Sequence, residues 1–132
     1  MSDPTRPDPM SELFGDLTHR LSGDRWQPAI DVFETEKAIV VRVELAGVRR
    51  GDLQVSVDGD VLRIRGVRRS PPESDVERLH RMEIAFGPFE RSVPVPVPFE
   101  RDQVAAHLAD GFLRVTLPKR VPAKRKIEVE RS

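Results

Sequence analysis

The sequence predicts an all-β protein, an immunoglobulin-like antiparallel β-sandwich with a flexible N-terminal arm and a C-terminal tail. Three observations point there. Through the middle of the chain apolar side chains alternate with charged ones at a period of two, the signature of half-buried strands. Turn-forming residues interrupt that alternation at intervals of roughly 8 to 12 residues, with almost no helical pattern between them. Two Asp-Gly pairs, Asp58-Gly59 and Asp110-Gly111, each separate a pair of alternating runs and suit tight hairpins. The 132 residues suffice for one domain with tails, and 38% hydrophobic against 33% charged residues concentrates the core in part of the chain.

Residues 1–26 read as the arm. Pro4, Pro7 and Pro9 stand among few apolar neighbours, a composition that favours disorder. Leu13, Phe14, Leu17 and Leu21 then recur at helical spacing between Ser11 as start and Gly23 as stop, which predicts a short amphipathic helix over 11–22. At about three turns such a helix is marginal alone, so its stripe needs a partner.

The sandwich is expected over 27–118. After Trp26 and Pro28, Ile30 and Val32 begin the period of two, followed by Ile39, Val41, Val43 and Leu45. Leu53, Val55 and Val57 run into Asp58-Gly59, expected as a type I′ turn, and Leu62 with Ile64 return. A long polar loop holds Pro71-Pro72. Leu79 to Phe86 reads as a further strand, and Phe89, Arg91 and Val93 as another. Pro94, Pro96 and Pro98 remove ladder donors, so that run should leave the sheet as an extended connection. A helical turn over Glu100 to Gln103 precedes Val104, Ala106 and Leu108; a second hairpin leads into Phe112, Leu113, Val115 and Leu117, and Pro118 ends that strand.

Residues 119–132 form the tail. Lys119, Arg120, Lys124, Arg125 and Lys126 make a basic linker that ends in Ile127-Glu128-Val129-Glu130. In an extended segment Ile127 and Val129 point the same way, and two such knobs suit docking beside a sheet edge or intersheet groove. A frayed tail is the alternative. Arg91, with its planar fork near a sheet surface, suits pairing across an interface or simple exposure.

Several motifs together carry a family resemblance. Ala106-His107-Leu108-Ala109-Asp110-Gly111-Phe112-Leu113 resembles the A-x-x-x-n-G-v-L signature of the α-crystallin domain, continued by Arg114-Val115-Thr116-Leu117-Pro118-Lys119. Trp26-Gln27-Pro28-Ala29-Ile30-Asp31-Val32 resembles the W-x-P-x-x-D-i opening of bacterial members. Leu45-Ala46-Gly47-Val48, Asp52 to Val57, Val61 to Gly66, Phe89-Glu90-Arg91-Ser92-Val93 and Ile127-Glu128-Val129 follow in the family's order. The sequence is therefore similar to the bacterial-type small heat-shock proteins. Ala46 stands where they carry proline, and the triple proline is unlike their single one.

The resemblance implies an ATP-independent holdase that works as a homodimer-based oligomer and binds unfolding client proteins. It implies a dimer interface in which a segment within Glu77 to Glu83 crosses to a partner's Ala29 to Phe33, using Ile30, Val32, Leu79, Arg81 and Arg91. It implies that the anchor residues Ile127 and Val129 dock into a neighbour's groove lined by Val55, Val57, Ala106 and Leu108. Clients would be held by Leu13, Phe14, Leu17 and Leu21. The rival readings are a single-partner co-chaperone or scaffold module of the related CS-domain type, and a protein that coats surfaces under stress.

Other classes find little support. Twenty-two basic residues balance 22 acidic ones, so no overall field favours nucleic acid or an anionic membrane. His19, His80 and His107 lack metal-ligand spacing, Asp58-Gly59-Asp60 lacks the rest of a calcium loop, and no nucleophile or nucleotide-binding motif occurs. No catalysis, cofactor or metal is expected. With no cysteine, no signal-like start and no long apolar run, the expected location is the cytoplasm.

Overall fold

The computed structural model describes residues 25–121 and 127–131. Seven strands form two antiparallel sheets. β1 (Ile30–Glu34), β2 (Ala38–Glu44), β7 (Phe112–Pro118) and β6 (Ala105–Ala109) make one sheet in the order β1-β2-β7-β6; β3 (Leu53–Asp58), β4 (Val61–Arg68) and β5 (Gly87–Pro94) make the other in the order β3-β4-β5. Short 3-10 turns at Arg50–Asp52 and Arg101–Gln103 lead into β3 and β6.

Alternation explains the layering. Val41 and Val43 pair with Val115 and Leu113, and Leu62 and Ile64 pair with Val57 and Val55, so each ladder presents one apolar face to the other sheet. Ile39, Val41, Val43, Leu45, Leu62, Ile64, Leu113, Val115 and Leu117 are almost wholly buried, together with Phe89, and no polar or charged side chain is buried among the described residues. Trp26 closes one flank: its ring meets Phe89 edge-on with centroids 5.3 Å apart, and its indole N–H donates to the Gly87 carbonyl at 3.0 Å. The packed core thus includes Trp26, just ahead of the expected start at residue 27.

The two hairpins divide the turn chemistry differently from expectation. Asp58 pairs with Val61, so the first turn is Gly59-Asp60, and only Gly59 has a positive φ (+59°); glycine at the first central position suits type II′ rather than the expected I′. The I′ pattern belongs to the second hairpin, where Asp110 and Gly111 have φ of +53° and +81°. The proline run begins inside β5 at Pro94 and then leaves the sheet. Val95 N–H still donates to the Asp60 carbonyl at 2.7 Å, and Phe99 bridges Lys119.

The expected strand over Leu79 to Phe86 is absent. Residues 69–86 connect β4 to β5 without a ladder of their own. Arg68 holds the root of the connection. Its Nε donates to the Ala85 carbonyl at 2.9 Å and its Nη1 to the Ala46 carbonyl at 3.3 Å, while the guanidinium lies 4.2 Å from the Trp26 ring centre and 5.4 Å from that of Phe86. Partial burial pushes the Arg68 pKa down, with nearby Glu44 acting the other way. Next to it Arg69 grips Asp52 through two bonds of 2.9 and 3.0 Å, and those hydrogen bonds hold the Asp52 carboxyl below its ordinary pKa. The stability this lends is present above the ordinary carboxylate range and is lost as pH falls through the lowered value.

Gly66 is fixed by space, not by backbone angle. A Cβ there would lie 2.2 Å from the Asp52 carbonyl oxygen and 2.8 Å from the Phe89 ring. Gly66→Ala is expected to cost about 1–3 kcal/mol as overpacking and to lower Tm by roughly 5–20 °C in a domain of this size, measured by circular dichroism. Gly51→Ala, where a Cβ meets nothing within 4 Å, should leave the melt unchanged.

Candidate functional site: two open flanks and an apolar tail

The sheet order leaves four edge strands, and the chain path says how they face each other. Trp26 bridges Phe89 of β5 in parallel, and β1 starts at Ile30. The edges β5 and β1 therefore share one flank. The remaining edges, β3 and β6, share the other.

On the β3/β6 flank the inward residues fail to close over. Val55 and Val57 pair with the buried Ile64 and Leu62, and Ala106 and Leu108 with the buried Val115 and Leu113, so all four point into the space between the sheets. Val55, Val57 and Leu108 are half-buried against the core, and Ala106, with its short side chain, is exposed. Leu53 and Val104 extend the same lining. Val55, Val57 and Leu108 thus pack against the core from two unpaired edges, and Ala106 shares their inward parity on β6. Ile127 and Val129 are 80% and 93% exposed, large apolar side chains left in water at the far end of the chain.

The β1/β5 flank is different. Ile30 is half-buried and Val32 44% exposed on the inward side of β1. Arg91 pairs with Ile64 in the ladder, which puts it on the same side of β5 as Phe89 and Val93. It escapes full burial because β5 is an edge, and its Nη1 donates to Gln27 Oε1 at 3.4 Å, just ahead of β1. Leu79 and Arg81 lie in the long connection; Leu79 is 37% exposed, and Arg81 faces Glu83 of the same segment at 3.6 Å. The structure therefore groups Ile30, Val32 and Arg91 on one flank, while no hydrogen bond or ion pair among the described residues joins Leu79 or Arg81 to it. Leu13, Phe14, Leu17 and Leu21, and the helix expected over 11–22, lie outside the described residues.

Two features escaped the sequence reading. Arg68 follows Gly66-Val67 as one more arginine in an arginine-rich chain, and its role rests on contacts with Trp26, Ala46 and Ala85 that are distant in sequence. The face of the four-stranded sheet turned away from the core carries Phe33 with Arg42 and Arg114 over its ring, at 5.6 and 5.7 Å; cross-strand register, not local pattern, brings these together. Among the described residues no group of three or more His, Cys, Asp or Glu stands close enough to hold a metal, and no helix is long and apolar enough to cross a membrane.

Residues 31–130 match the Hsp20/alpha crystallin family. Heat shock protein 16 of Schizosaccharomyces pombe is 34% identical over 122 residues, covering 86% of this chain and 85% of that protein. Small heat shock protein C2 of Rickettsia felis is 33% identical over 104 residues, 78% of this chain and 68% of that protein. Among solved structures, heat shock protein 16.0 from S. pombe superposes with a TM-score of 0.67 at 34% identity, over 80% of this chain and 100% of that one. A small heat-shock protein from Xylella fastidiosa, described as having a distinct high order structure, gives a TM-score of 0.69 at 30% identity, over 81% of this chain and 99% of that one.

Proposed function

Because the chain belongs to the Hsp20/alpha crystallin family of small heat shock chaperones, we propose that it acts as an ATP-independent holdase in the cytoplasm, built from homodimers that assemble further. The observation that carries this reading is the pairing of an open apolar cleft at β3/β6 with two exposed apolar residues two apart in the tail. Ile127 and Val129 of one copy seat against Val55, Val57, Ala106 and Leu108 of another, and the segment around Leu79 and Arg81 crosses to a partner's β1 near Ile30, Val32 and Arg91. Both contacts add a strand to an unpaired edge, so main-chain bonds supply affinity and side chains supply register.

The mechanism follows from weak, exchangeable contacts. When a tail leaves its groove, the cleft and the arm residues Leu13, Phe14, Leu17 and Leu21 are open to any polypeptide that exposes apolar surface. Burial worth roughly 25 cal/mol per Å² then favours capture. Stress shifts the population of open species; nothing in this scheme consumes nucleotide or makes a covalent bond.

The test is light scattering of an unrelated enzyme held at a denaturing temperature without ATP. Suppression of aggregation at near-equal subunit ratios is the expected result. Unchanged scattering over a range of temperatures would remove the holdase reading.

A further inference from the structure

The outward face of the four-stranded sheet carries an unbalanced row of charge that stops at the β6 edge. Asp31, Arg42, Arg114 and His107 are consecutive ladder partners across β1, β2, β7 and β6, and residues paired across antiparallel strands project from the same face. Arg42 is matched by Asp31 at 2.7 Å. Arg114 lies over the Phe33 ring, and among the described residues no carboxylate comes within ion-pair distance of it. His107, exposed on the last strand, adds no anion.

The tail has the complementary pattern. Ile127 and Val129 alternate with Glu128 and Glu130, so an extended tail that turns its apolar pair one way turns its carboxylates the other. If Ile127 and Val129 lie beside Ala106 and Leu108, the residue between them must lie beside the residue between those two, whether the strands run parallel or antiparallel. That places Glu128 next to His107, with Arg114 one strand beyond.

We propose that Glu128 of a docked tail completes this row on the neighbouring copy, pairing with His107 and Arg114 and thereby fixing the tail on β6 in a single register. This rests on the anchor reading above and adds which edge receives the tail and what sets its position. A one-residue slip would bring the carboxylates into the apolar cleft. Docking along β3 instead would set Glu128 beside Ser56 with Arg63 beyond; Arg63 stands 3.8 Å from Glu90, a carboxylate it shares with Arg25 at 2.9 Å, whereas Arg114 on the β6 side has no carboxylate at ion-pair distance among the described residues.

The test is a charge exchange in the full chain, read as oligomer mass and subunit exchange rate at moderate ionic strength. Glu128→Lys and His107→Glu should each weaken assembly roughly tenfold, and the double variant should recover most of that loss. Two losses that simply add would overturn the proposal. Weakening by Glu128→Lys that His107→Glu does not rescue but Arg63→Glu does would move the tail to β3 and also overturn it. Ile127→Ala with Val129→Ala separates the two levels: a mass unchanged there sinks the anchor reading itself, whereas a fall in mass there with no effect of Glu128→Lys sinks only the pairing. His107 and Glu128 are both exposed, so matching melting curves exclude misfolding as the cause.

Discussion

Replacing Ile127 and Val129 together by alanine should dissolve the higher assembly into dimers while leaving the sandwich intact. Both side chains are largely exposed in the single chain and contribute nothing to its core, so the melt should not move. Seating them in a neighbour's cleft buries apolar surface worth about 1.5–3 kcal/mol for each large side chain. Truncation to alanine removes most of it. A combined loss of about 3–4 kcal/mol per contact raises the dissociation constant by two to three orders of magnitude, enough to disperse the assembly at micromolar concentration. Analytical ultracentrifugation reads the outcome directly. A mass that does not change would favour the single-partner module of the CS-domain type, which has no tail anchor.

Excising residues 70–83 in favour of a short glycine-rich link should give a folded monomer. The segment lies between β4 and β5, and its two ends are already ladder partners, Arg68 opposite Gly87. Closing them with a shorter turn therefore costs little. The excised stretch exposes Val76 and Leu79, at 46% and 37%, without packing them against the core, so stability should change by no more than about 1 kcal/mol. Ala85 and Phe86, which Arg68 holds, are retained. What disappears, in the proposed dimer, is the segment offered to β1 of a second copy. A variant that remains dimeric by light scattering would place the dimer contact elsewhere.

How much of this was legible in the sequence follows from the range of each interaction. Strands with strict alternation, such as Leu53 to Asp58 and Phe112 to Pro118, could be read because one face is buried and period two is local. The turn over Arg101–Gln103 and the exit at Pro94 were read from the same local rules. Turn type was misassigned at Gly59-Asp60, since an Asp-Gly pair does not reveal which two residues become the centre until the register Asp58↔Val61 is known. The stretch 79–86 has the pattern of a strand and pairs with none of the four open edges of its own chain. Pattern states a tendency; pairing needs a partner. Arg91 shares its parity with Phe89 and Val93, and because β5 is an edge strand an arginine on that side still reaches water. Val55, Val57, Ala106 and Leu108 are named through family resemblance; the structure places them at the inward parity of β3 and β6, the edges of two different sheets.

That arrangement has a topological consequence. The flank that would receive a second copy's loop and the flank that would receive a tail lie on opposite sides of the sandwich, so occupying one does not obstruct the other. The loop contact can be reciprocal, each copy giving and taking the same element about a twofold axis. The tail contact is directional when a subunit's tail seats on one neighbour and its groove takes the tail of another. Every subunit then carries one self-matching link and one directional link, and directional links left unclosed propagate without limit. A finite particle requires that the tails close a circuit, and the length and stiffness of the linker after Lys119 become the variables that choose how many subunits the circuit holds.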